Sequence, residues 1–171
     1  MLVFATVGST QFDSLVQAIL SPSVLSTLRR KGYHQLVVQC GNSNFESASS
    51  ISGGQLNIEK EGIDIELWKF KPTLQNEYEK ADLVISHAGS GTILDVLRLG
   101  KPLLTVVNPT LLDNHQQELA SALAELGHLQ VSNVVDLAQT IETFDPSSLT
   151  PFPPFDGSRF AKLLDEHMGF E

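Results

Sequence analysis

The sequence predicts an α/β fold: an open, mostly parallel sheet with helices on both faces. Three observations predict it. Short apolar runs rich in Val, Ile and Leu alternate with helical patterns along the chain. Several of these runs lack strict apolar–polar alternation, as expected of strands covered on both faces. The 171 residues, 42% hydrophobic and 18% charged, suit one globular domain with a short appendage.

The expected strands are Leu2–Val7, Gln35–Cys40, Ile63–Phe70, Asp82–His87, Leu103–Val107 and Leu129–Ser132. Between them, Phe12, Leu15, Val16, Ile19 and Leu20 recur at helical spacing and give one apolar face. Thr10, three residues before Asp13, has the pattern of a capping box opening that helix. Leu74–Lys80 is a short helix, and Thr92–Leu99 is another, stopped by Gly100 and Pro102. Asn114–Leu126 ends at Gly127, and Val134–Phe144 is the last helix of the compact part. Such an order of elements gives right-handed crossovers, and ligands then bind beyond the carboxyl ends of the strands. The loops after Val7, His87 and Val107 are therefore the ones to inspect.

The domain proper is expected over residues 1–144, and residues 145–171 form an appendage. Asn42–Gln55 is Ser- and Gly-rich and reads as a mobile surface loop. Asp145–Gly157 contains Pro146, Pro151, Pro153 and Pro154 and reads as an extended or wrapping segment. In Arg159–Gly169, the residues Phe160, Leu163, Leu164, His167 and Met168 follow helical spacing. That helix either packs on its own domain or docks on a partner.

Twenty acidic residues against eleven Lys plus Arg give a net charge of −9. This argues against nucleic acid as the main partner and against a polybasic hold on an anionic membrane. No apolar run approaches the roughly 20 residues that span a bilayer, and the start has no basic region of a signal peptide. The single Cys40 fits a reducing compartment. A cytosolic location, with any membrane attachment made through a partner, is the expectation.

The strongest chemical signal is His87-Ala88-Gly89-Ser90-Gly91-Thr92, after a strand and before a helix. Its glycines let backbone approach a ligand closely. The free N–H groups and positive dipole end of the following helix suit a phosphate. The plainer alternative is a tight turn with Thr92 as a cap. Gly8-Ser9-Thr10-Gln11 has the same character after the first strand, but neither G-x-G-x-x-G nor Gly-Lys-Ser/Thr is present there. Asp95 lies opposite the apolar arc of Ile93, Leu94, Val96 and Leu97 and reads as a ribose acceptor or a solvated acid. Asp113-Asn114-His115-Gln116-Gln117 gathers polar side chains suited to sugar hydroxyls or an acetamide, or simply a capped helix start. The five histidines include no pair with metal-ligand spacing. His34, His128 and His167 read as structural or exposed.

Together these motifs resemble the C-terminal, donor-binding half of GT-B glycosyltransferases, a Rossmann-like sheet. More closely, they resemble the catalytic subunits of the two-subunit eukaryotic enzyme that adds the second GlcNAc to the dolichol-linked sugar. The most specific stretch is Ala81–Ile93, followed by Leu99-Gly100-Lys101-Pro102 and Asn114-His115-Gln116. The bacterial peptidoglycan GlcNAc transferase shares the pattern behind an acceptor-binding half. Here the chain opens on the donor domain's first strand, so the resemblance expects that half on another chain.

The resemblance implies roles. Gly8, Ser9 and Thr10, with Gly89, Ser90, Gly91 and Thr92, would hold the UDP diphosphate, and His87 and Ala88 would belong to the same substrate-binding set. Asp95 would hold the ribose, Phe70 and Lys71 would border the uracil, and Asn114, Gln116 and Gln117 would contact the GlcNAc. It implies inversion at the anomeric carbon with neither cofactor nor required metal, and offset of the leaving charge by dipoles and hydroxyls. His87 is a candidate helper, and the catalytic base is left unassigned. The implied reaction moves GlcNAc from UDP-GlcNAc to GlcNAc-diphosphodolichol, an early step of N-linked glycosylation. It would run with a membrane-anchored acceptor-binding partner and a lipid-linked acceptor, at the cytosolic face of the endoplasmic reticulum. The alternatives are a non-catalytic nucleotide-sugar-binding regulatory module and a single-domain nucleotide-sugar epimerase.

Overall fold

A computed structural model describes residues 1–51, 54–108, 115–154, 156–158, 162 and 166–168, with His115 described by its backbone alone. Seven strands are β1 (Leu2–Thr6), β2 (Gln35–Gln39), β3 (Gln55–Lys60), β4 (Ile63–Trp68), β5 (Leu83–His87), β6 (Leu103–Val106) and β7 (Gln130–Ser132). The described residues include the α-helices α1 (Asp13–Ile19), α2 (Pro22–Arg30), α3 (Gln75–Lys80), α4 (Ser90–Arg98), α5 (His115–Glu125) and α6 (Leu137–Thr143).

The strands form one sheet in the order β3-β4-β2-β1-β5-β6-β7. Every neighbouring pair is parallel except β3–β4. The chain therefore winds one way from β1 to β2 and β4, and the other way from β5 to β6 and β7. The winding reverses between β1 and β5, and the crevice of such a sheet opens at that reversal.

The sheet is wrapped as the apolar runs require. On one face, Leu15, Val16 and Ile19 of α1, Val24, Leu25 and Leu28 of α2, and Leu137 and Ile141 of α6 pack on Val3, Ala5, Val38, Ile65 and Ile85. On the other, Tyr78 of α3, Ile93, Val96 and Leu97 of α4, and Ala120 and Leu123 of α5 pack on Phe4, Val37, Val84 and Leu103.

Four local expectations change. An edge strand, β3, runs where the sequence suggested no strand. Its alternating Leu56 and Ile58 pack inward while Asn57 and Glu59 face out. The Glu61-Gly62 link to β4 has positive φ at both residues, 53° and 71°, the two-residue hairpin geometry that matches strand twist. Helix α2 is likewise additional, opened by Pro22 at its first position and by the Ser21 hydroxyl, which accepts from Val24 N. The capping box does not form: Thr10 Oγ1 donates to the Val7 carbonyl at 2.7 Å, and α1 begins at Asp13 without a side-chain cap. Folding back on β1 satisfies the hydroxyl locally, so it is not available to the helix.

The Ser-rich segment is also anchored. Ser43 is buried, its Oγ accepting from Phe12 N at 3.0 Å, and Asp13 Oδ1 accepts from Asn44 N at 2.8 Å. Phe45 and Ile51 pack against the core. Ser52 and Gly53 lie outside the described residues. The Pro-rich stretch wraps back on the domain: Thr150 N donates to Gly127 O at 2.9 Å, and the His128 ring meets Phe152 edge-on at 5.2 Å. Of the C-terminal helix, Ser158, Lys162 and Glu166–Met168 are helical, and the remainder of Arg159–Gly169 lies outside the described residues.

Candidate functional site

The two glycine elbows follow adjacent strands, β1 and β5, on either side of the reversal in strand order. Both close on one side chain. A Cβ placed on Gly8 would stand 2.5 Å from His87 Cε1, and one on Gly89 would overlap His87 Nε2. Gly8 also has φ +60°, a conformation that glycine adopts without strain. A third turn joins them, since a Cβ on Gly41 after β2 would stand 3.2 Å from the Thr10 carbonyl. The elbows and His87 thus form one contiguous floor at the carboxyl ends of the strands.

His87 ends β5 and is buried, 6% exposed. Burial pushes its pKa below the ordinary histidine value, and the Thr6 backbone carbonyl opposes this only in part. Nδ1 itself is buried with no partner in hydrogen-bond geometry. The imidazole is therefore neutral at pH 7.

Helix α4 starts at Ser90 with Gly89 as its cap residue, and no side chain caps it. Its first-turn N–H groups are thus left for solvent or a ligand. Ser90 and Gly91 are exposed, Thr92 is half-buried, and Ala88 is buried beneath them. Ile93, Val96 and Leu97 turn into the core, which leaves Asp95 on the exposed side. Tyr78 of α3 reaches this helix. Burial raises its phenol pKa, a hydrogen bond with Thr92 lowers it, and the Asp95 carboxylate raises it.

Past β4 the chain presents Phe70, 54% exposed. Lys71 turns towards α3, with Nζ 2.7 Å from Glu77, 3.6 Å from Glu66 and 4.2 Å from the centre of the Trp68 ring. Gln116 is half-buried and Gln117 exposed in the first turn of α5. Asn114 and the loop before it lie outside the described residues. Among the described residues no three His, Cys, Asp or Glu side chains gather as a metal site.

A buried polar row escaped the reading of the sequence. Trp68, Gln39, Thr6, Ser86 and Thr105 pair in register across β4, β2, β1, β5 and β6. All five are at most 1% exposed. Only the register puts them side by side, at the carboxyl ends of β1, β2 and β4 and one residue before the ends of β5 and β6.

An open sheet that reverses its winding beneath two glycine elbows is the architecture of one half of a GT-B glycosyltransferase. The sequence model of the glycosyltransferase family 28 C-terminal domain matches residues 2–167, and the chain belongs to that family. It is similar to the UDP-N-acetylglucosamine transferase subunit ALG13 of Cryptococcus neoformans, 35% identical with 99% of this chain and 97% of that protein covered. The subunit of the same name from Saccharomyces cerevisiae is 34% identical, with 96% and 94% covered. The solution structure of an ALG13 superposes with a TM-score of 0.67 at 30% identity, covering 95% of this chain and 94% of that one. The crystal structure of Acinetobacter baumannii MurG superposes at 0.65 and 18% identity, covering 96% of this chain and 49% of that one. MurG thus shares the fold over about half its length. Among the described residues no helix is long and apolar enough to cross a membrane.

Proposed function

We propose that this chain is the donor-binding, catalytic subunit of an inverting N-acetylglucosaminyltransferase. It moves GlcNAc from UDP-GlcNAc to GlcNAc-diphosphodolichol and works with a membrane-anchored, acceptor-binding partner at the cytosolic face of the endoplasmic reticulum. The observation that carries this reading is the convergence of Gly8 and Gly89 on His87 at the strand-order reversal. The names of the relatives supply the donor, and the word "subunit" in them supports a partner.

The chemistry follows from the site. The acceptor 4-hydroxyl oxygen attacks the anomeric carbon as the bond from that carbon to the diphosphate oxygen breaks. The hydroxyl proton passes to a base, and UDP departs. The N–H groups and dipole of α4, with the hydroxyls of Ser90 and Thr92 and the elbow at Gly8-Ser9-Thr10, meet the charge gathering on the diphosphate. The buried His87 ring beneath them is the surface on which both elbows close. Asp95, exposed one helical turn further on, accepts from the ribose hydroxyls. Phe70 offers an exposed ring to the uracil, and Gln116 and Gln117 in the first turn of α5, with Asn114 before them in sequence, are assigned to the sugar.

The test combines the full chain, its membrane partner, labelled UDP-GlcNAc and the lipid acceptor. Transfer by the pair is expected. Asp95→Asn, on an exposed position, is expected to raise the KM for donor about tenfold, the scale of one charge-assisted hydrogen bond. Absence of transfer, or full transfer by the partner without this chain, would refute the reading. The second outcome, with donor still bound, would leave a regulatory module.

A further inference from the structure

We infer that Gln39 and Thr6 are positioning residues for the nucleotide: they lock the first elbow and tie it to the segment that carries Phe70. The inference rests on the donor-binding reading above and extends it to residues that touch no ligand themselves.

Three hydrogen bonds hold the amide of Gln39. Its Nε2 donates to the Gly8 carbonyl at 2.9 Å and to the Lys69 carbonyl at 2.8 Å, and its Oε1 accepts from Thr6 Oγ1 at 2.5 Å. Only an NH2 group can meet two carbonyls at once, which fixes the amide's orientation. Thr6 Oγ1 in turn accepts from Gly8 N at 3.0 Å. Both backbone polar groups of Gly8 are therefore held from below, in the left-handed conformation that the elbow needs. Gln39 and Thr6 are each 1% exposed, so water does not compete for these bonds.

The second carbonyl gives the pair its reach. Lys69 directly precedes Phe70, and its carbonyl also accepts from Gly41 N at 3.2 Å. One side chain on β2 thus sets the elbow after β1 and the segment after β4, with β2 between them. A ligand whose diphosphate sits on the elbow and whose base meets Phe70 needs those two loops at a fixed separation. Preorganising that separation lowers the cost of ordering on binding.

The full chain is titrated with UDP, followed by amide NMR, in the wild type and in Thr6→Val, Thr6→Ser, Gln39→Met and the Thr6→Val/Gln39→Met double variant. Thr6→Val keeps the shape and removes the hydroxyl, and Thr6→Ser keeps the hydroxyl. Thr6→Val and Gln39→Met are each expected to raise the Kd for UDP roughly tenfold, the double variant little more than either, and Thr6→Ser by less than about twofold. A purely structural role would lower the melting temperature and leave the Kd of the folded molecules unchanged. An unchanged Kd in folded Thr6→Val overturns the inference, and this variant decides it if Gln39→Met fails to fold. A wild type that binds no UDP overturns the donor-binding reading itself.

Discussion

Gly89 stands directly against the imidazole of His87, which occupies the space that a side chain at position 89 would need. The two residues are separated by Ala88 alone, so the strand end and the helix start are folded onto one another. Gly89 has a negative φ, −76°. The demand for glycine there comes from the ring and not from the backbone.

Gly89→Ala is therefore expected to destabilise the fold by about 1–3 kcal/mol, the cost of overpacking a buried contact. In a His87→Ala background the same substitution should cost much less, because the obstructing ring is gone. Urea denaturation of the four proteins measures the coupling. Additive effects would mean that the clash is absorbed elsewhere.

Gly91 makes the opposite case. A Cβ there meets nothing within 4 Å, and in a helix alanine is preferred over glycine by roughly 0.5–1 kcal/mol. Gly91→Ala should fold at least as stably as the wild type. With a diphosphate seated on the first turn of α4, the added methyl would crowd it, so the Kd for UDP should rise by at least about tenfold. Calorimetric melting and titration on one sample separate the two effects. Unaltered binding would place the phosphates elsewhere.

The depressed pKa of His87 makes stability pH-dependent with a definite sign. The unfolded chain takes up a proton near the ordinary value of about 6.5, whereas the buried imidazole does so only at lower pH. The neutral ring's contribution is thus fully present above about pH 6.5 and is lost as pH falls from there towards the folded value. The wild type should lose more stability than His87→Gln between pH 7 and pH 5.5. Parallel curves for the two proteins would show that burial does not shift this group.

Ser43 holds the buried backbone N–H of Phe12. Ser43→Ala leaves that donor unpaired and should cost about 1–3 kcal/mol. Amide exchange at Phe12 should quicken in step. Unchanged stability would mean that another acceptor takes over the bond.

The parallel strands and both elbows could be read from the chain because their signals are local: apolar runs, glycines at strand ends, a helix pattern after each. The reading failed where tertiary context decides. β3 hides behind a Ser- and Gly-rich segment, and its hairpin uses Glu61 in a left-handed conformation more usual for Asn or Asp. Helix α2 starts at Ser21-Pro22 directly after Leu20, so its apolar residues run on from those of α1 with no loop signal between them. Thr10 and Asp13 have capping-box spacing, yet each bonds elsewhere, to Val7 and Asn44. Gln39 reads as one polar residue at a strand end. Its two carbonyl partners lie 31 and 30 residues away and become neighbours only through the sheet.

The clasp of Thr150 and Phe152 on Gly127 and His128 has a mechanical meaning. Phe152 comes to rest beside Leu97, Lys101 and Pro102, next to where β6 enters the sheet, while Gly8 and Gly89 sit where strands leave it. The five residues of β5 put about 17 Å between those rims. A tether fastened beyond Phe152 thus grips the molecule by its heel, and a load on it meets the Thr150–Gly127 and Phe152–His128 contacts before any strain reaches the mouth.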